Sequence, residues 1–108
     1  MSVDVPGPSF FIIDFTPEKT AALSLARRLR DLGASVARDI ISRGLEESIA
    51  YARAQRARHV LVVGGPRSTT GELLALDLVG GGEQTLAIAE VLATPERYFE
   101  NVRGARHA

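Results

Sequence analysis

Two short runs, Phe10–Asp14 (FFIID) and His59–Val63 (HVLVV), constrain the fold more than any other feature of the chain. Neither alternates apolar with polar residues. Continuous apolar runs of this length suit strands buried on both faces, as in a parallel sheet covered by helices on each side. The segment between them must therefore supply the covering helices and a crossover. Thr16-Pro17-Glu18 has the residues of a helix start: a hydroxyl cap, proline at the first position and an acid in the first turn. From there to Leu32, Ala22, Leu25, Ala26, Leu29 and Leu32 recur at helical spacing, and Gly33 stops the helix. A second strand is expected over Ser35–Asp39. Ser42 is the expected cap of a second helix with Leu45, Ile49 and Ala52 inward, ending near Gln55. The order β-α-β-α-β is that of a parallel sheet with right-handed crossovers.

Beyond His59–Val63 the pattern changes. Leu74, Leu76 and Leu78 alternate with Ala75, Asp77 and Val79, three glycines follow at 80–82, and Glu83–Ile88 is apolar again at its end. Two short segments around a glycine turn predict a hairpin, with strands over Leu73–Leu78 and Thr85–Ile88. Thr94-Pro95-Glu96 repeats the cap logic of Thr16 and predicts a third helix carrying Tyr98, Phe99 and Val102. The expected fold class is α/β: three layers, with a mixed five-stranded sheet and three main helices. Phe11, Ile13, Leu25, Leu29, Ile49, Leu61 and Val63 are its expected core. Residues 1–8 read as a flexible lead-in, 9–102 as one domain and 103–108 as a frayed tail.

Several functions are excluded by what the chain lacks. Its 108 residues leave no room for a catalytic domain beside a binding domain. Thirteen basic and thirteen acidic residues balance, so nucleic-acid contact would need a local patch. Every basic residue except Lys19 is arginine, which favours planar, bidentate contacts. With no cysteine there is no disulfide or thiolate metal site. The first ten residues have no basic stretch followed by a long apolar one, so no signal peptide is expected there, and no apolar run nears the roughly 20 residues of a membrane span, so a soluble cytoplasmic domain is expected.

The glycine loop after Val63 resembles a phosphate cradle only superficially. It has no lysine for the phosphates, and the segment after it reads as a strand where a Walker loop needs a helix. A turn is expected there, with no nucleotide. Asp14 and Asp39 fall at strand ends, where a metal or phosphoacceptor site would need a third acid, but the third strand ends in Gly64. Asp14 is expected to cap backbone N–H groups instead. His59 has no partner acid nearby in sequence, and Arg27, Arg28 and Arg30 read as a solvated helix face. No catalytic residue, metal site or cofactor is predicted, and the chain is not expected to be an enzyme.

Three stretches taken together carry a resemblance. FFIIDFTPEKTAALSLARRLRDLGASVARD, LEESIAYARAQRARHVLVVGG and LALDLVGGGEQTLAI resemble, in order and spacing, the C-terminal anticodon-binding domain of class II aminoacyl-tRNA synthetases of the histidyl type. The resemblance implies a tRNA- or RNA-binding module, with the start of helix two facing the anticodon loop. Arg43, Ser48 and Tyr51 on or beside that helix, and Arg67 from the glycine loop, are the implied RNA-binding residues. Single-stranded loops are read by stacking and by hydrogen bonds to splayed bases. The chain departs from the family at Arg56, where glycine is usual, at Ser48, where glutamine is common, and at Glu46 and Glu47, where basic residues tend to lie. Two carboxylates there oppose the phosphate term of RNA affinity. The alternative is a protein-interaction or regulatory module that kept the fold without tRNA.

Overall fold

The computed structural model describes residues 8–17, 19–39, 44–64 and 71–99. Five strands form one sheet in the order β2-β1-β3-β4-β5. β1 (Phe10–Asp14) lies between β2 (Val36–Arg38) and β3 (His59–Val63), parallel to both. β4 (Glu72–Asp77) runs antiparallel to β3, and β5 (Glu83–Ala87) pairs antiparallel with β4. The fold class expected from the sequence is the one observed. β2 is shorter than expected, and β5 begins earlier.

The two faces of the sheet are covered separately. Phe10, Ile12, Leu61, Val63, Leu73, Ala75 and Leu86 face α1 (Thr20–Asp31) and α3 (Ile88–Ala93), where they meet Ala22, Leu25, Ala26, Leu29 and Val91. Phe11, Ile13, Val60, Val62, Leu74 and Leu76 form the other core, closed by Ala52 of α2 (Leu45–Ala54) with Leu45 and Ile49 packed against it. Every expected core residue is buried except Ile49, which is half-buried.

Two helix boundaries differ from expectation. α1 does not start at the Thr16 cap. The Asp14 carboxylate accepts from both the N–H and the hydroxyl of Thr16, at 2.8 and 2.5 Å, and folds the intervening residues into a turn. Lys19 then takes a left-handed backbone (φ 57°), its ammonium donating to the carbonyl of Asp14 at 2.7 Å, and the helix begins at Thr20. Asp14 also accepts from the N–H of Ala22, in the first turn of α1, at 3.2 Å. It is the helix cap the sequence expected of it, acting from a strand end.

The third helix lies earlier than expected. At Ile88 the backbone leaves the hairpin ladder, its N–H donating to the carbonyl of Gly71 at 2.9 Å. Ile88, Val91 and Leu92, spaced three and four apart, then turn their side chains toward α1. Among the described residues, Thr94 is followed by a 3₁₀ turn, Pro95–Arg97, which delivers Tyr98 and Phe99 to the sheet; Val102 lies outside them. The arginines of α1 are not all a solvated face. Arg28 donates to the carbonyls of Leu92 and Ala93 at the end of α3, at 2.8 and 3.3 Å, and Arg30 to that of Val36 at 2.9 Å.

Leu61 is wholly buried at the centre of the β1–β3–β4 ladder. Truncation to alanine is expected to cost about 2–5 kcal/mol, read from the urea midpoint at unchanged slope.

Candidate functional site

The site implied by the resemblance lies at the carboxyl ends of the parallel strands, around the start of α2. Glycine at position 44 precedes the helix, and the Glu47 carboxylate folds back to accept the N–H of Gly44 at 3.2 Å. This is the acidic half of a capping box. The positive end of α2 is thus met by a carboxylate of its own chain, with Glu46 beside it in the first turn. One position further, Ser48 points inward. It is 0% exposed, and its hydroxyl donates to Oδ2 of Asp39 at 2.6 Å.

Tyr51, one turn on, is 41% exposed, with its ring 5.7 Å from that of Phe11. It therefore packs on β1 and keeps a face in solvent. Of the four residues the resemblance pointed to, the structure places Ser48 inside and Tyr51 outside, so the two do not share a surface. Arg43 and Arg67 lie outside the described residues, as does Ser42.

The glycine loop begins with a steric constraint. Gly64 has φ +72°, and a Cβ there would sit 2.7 Å from Cγ2 of Thr16. Its glycine permits β3 to leave the sheet beside the Asp14 turn. A strand, β4, follows the loop, as the sequence required. Among the described residues, no three His, Asp or Glu side chains gather to hold a metal, and no helix is long and apolar enough to cross a membrane.

At the opposite end of the sheet the structure assembles a group that the sequence did not reveal. His59, the first residue of β3, pairs directly with Asp77 of β4. The partner acid missing from its neighbourhood in sequence arrives across the antiparallel ladder. No periodicity signals this, because the pairing depends on the register set by the hairpin. The His59 ring stacks on Phe10 at 5.3 Å and meets Phe99 edge-on at 5.4 Å. Asp77 holds the hairpin turn, its Oδ1 accepting from the N–H groups of Val79 and Gly80 at 3.0 and 2.8 Å.

Both groups titrate away from their usual values. Burial against the two phenylalanines pushes the His59 pKa down, with Arg58 adding to this, and Asp77 and the Ser9 backbone only partly offset it. The Asp77 carboxyl is also held low, first by the Gly80 N–H.

With the geometry in place, the class is clear: the chain has the anticodon-binding fold of class II aminoacyl-tRNA synthetases. Histidyl-tRNA synthetase from a Nostoc species shares it with a TM-score of 0.68 at 20% identity, over 84% of this chain and 22% of the synthetase. Prolyl-tRNA synthetase from Cryptosporidium parvum shares it with a TM-score of 0.71 at 14% identity, over 92% of this chain and 22% of that one. In sequence the chain is similar to the ATP phosphoribosyltransferase regulatory subunit of Syntrophotalea carbinolica, 45% identical over 82 residues. That match covers 76% of this chain but only 18% of the relative. No family model matches the chain.

The titration of His59 has a stability consequence. Its folded pKa lies below the unfolded value of about 6.5, so the neutral ring's contribution is intact above that value. It is lost as pH falls from there through the folded pKa, because the unfolded chain takes up the proton first. Wild type is expected to lose more stability than His59→Phe between neutral and mildly acidic pH, measured by urea unfolding at each pH. Equal losses would mean that His59 carries no linkage.

Proposed function

We propose that this chain is a non-catalytic domain of the ATP phosphoribosyltransferase regulatory-subunit type, which uses the anticodon-binding frame to engage a protein rather than an RNA. The observation that carries this reading is the 45% identity to a regulatory subunit, set against 20% or less to the synthetases that share the fold. The local chemistry of α2 supports it. An RNA-facing helix start works by leaving backbone N–H groups and positive potential available to phosphate. Here Glu47 takes the first of those N–H groups, Glu46 adds a second negative charge, and Ser48 is turned away into a bond with Asp39. Formal neutrality of the whole chain gives no long-range attraction to compensate.

The direct test is to mix the chain with ATP phosphoribosyltransferase catalytic subunits and follow sedimentation velocity. A faster-sedimenting species containing both chains is expected. Independent sedimentation of the two at micromolar concentrations would contradict the proposal.

A further inference from the structure

The two edges of the sheet are not alike. At β2, Phe10 donates its N–H to the Ser35 carbonyl at 3.1 Å, and Asp39 donates to that of Ile12 at 2.9 Å. These bonds turn the odd-numbered backbone groups toward β1, so those of Val36 and Arg38 face outward. That edge is blunted. It is three residues long, the Arg30 guanidinium donates to the outward carbonyl of Val36 at 2.9 Å, and Arg38 adds a charge.

β5 carries none of these devices. It is five residues long, pairs with β4 residue for residue without a bulge, and contains no proline or basic residue. Its outward groups follow from the ladder. Asp77 N–H donates to the Gly82 carbonyl at 2.8 Å, and Ile88 N–H to that of Gly71 at 2.9 Å. Both ends place the hydrogen-bonded pairs at even positions, so alternation points the N–H and carbonyl of Thr85 and the N–H of Ala87 away from β4. Among the described residues neither Thr85 group has a hydrogen-bond partner, and Thr85 itself is exposed.

Such a row of backbone groups is complementary to another extended strand. A second copy supplies one in a matching register. With Thr85 set opposite Thr85 of the copy, each donates its N–H to the other's carbonyl, and Glu83 lies across from Ala87. The two Glu83 carboxylates are then about 14 Å apart along the strands, beyond the roughly 8 Å screening length of physiological salt. Head-to-tail pairing of β5 on β2 is opposed by Arg30 and Arg38 at that edge, so the contact closes after two copies.

We propose that two copies of this chain join through their β5 edges, antiparallel about a two-fold axis at Thr85, into one continuous sheet. The contact does not use α2, and its test contains this chain alone, so it and the regulatory reading above stand or fall separately.

Sedimentation equilibrium from micromolar to millimolar concentration is expected to show reversible dimerisation, with the Thr85 amide gaining hydrogen-exchange protection as the dimer forms. Thr85→Pro removes the outward donor and leaves the β4 ladder intact. It should weaken the dimer at least about tenfold, as loss of two backbone hydrogen bonds does, while the monomer still unfolds cooperatively in urea. Thr85→Lys and Thr85→Glu should each be monomeric alone and pair when mixed, because the axis sets position 85 against itself. A chain that stays monomeric over the whole range, a dimer that Thr85→Pro leaves unchanged, or charged variants that fail to pair on mixing would overturn the proposal.

Discussion

The parallel pairing of β1 with β3 is the contact on which the rest of this molecule depends. Ten residues, Phe10–Asp14 against His59–Val63, lie side by side in register, and all but His59 are buried. With no solvent-facing side, the pair forces helices onto both faces. α1 and α3 close one core, and α2 closes the other. The pair also determines what happens at its ends. At the carboxyl end the Phe15 N–H still donates to the Val63 carbonyl at 2.9 Å, which brings the Asp14 turn against Gly64. At the amino end the same register sets His59 beside Phe10 and across from Asp77.

These two ends have opposite chemical character. Open α/β sheets offer ligands their carboxyl edge, where strand order reverses and helix N-termini converge. In this chain the carboxylates near that edge are engaged internally. Asp14 holds Thr16 and the first turn of α1, Asp39 accepts from Ser48, and Glu47 accepts from Gly44. Each bond ties a carboxylate into the frame. The amino end is where aromatic rings, a perturbed histidine and a carboxylate oxygen without a hydrogen-bond partner among the described residues surround a cavity.

How much of this was legible in the sequence follows from the range of each interaction. β1 and β3 were read to the residue, because an unbroken apolar run needs no partner to be recognised. The inward face of α1 and the role of Asp14 as a cap were also local signals. The start of α1 was misread because Thr16 has the right neighbours for a cap, while the competing bond from Asp14 depends on the strand before it. α3 was missed for a related reason. Leu86 and Ile88 alternate like a strand, and only packing against α1 turns the chain helical at Ile88. The resemblance pointed Ser48 toward RNA, and its bond to Asp39, just past β2, depends on how α2 docks rather than on any local pattern. The His59–Asp77 pair was invisible, its members eighteen residues apart and joined by antiparallel register alone.

The central proposal is that this chain keeps the anticodon-binding fold while its own carboxylates close the helix start that the resemblance turns toward RNA. Titration of a fluorescently labelled anticodon stem-loop with the wild-type chain at low salt tests it most directly. The predicted result is no saturable binding. Saturable binding that weakens with salt, and that Arg43→Ala abolishes while reducing the salt slope by about one phosphate contact, would contradict it.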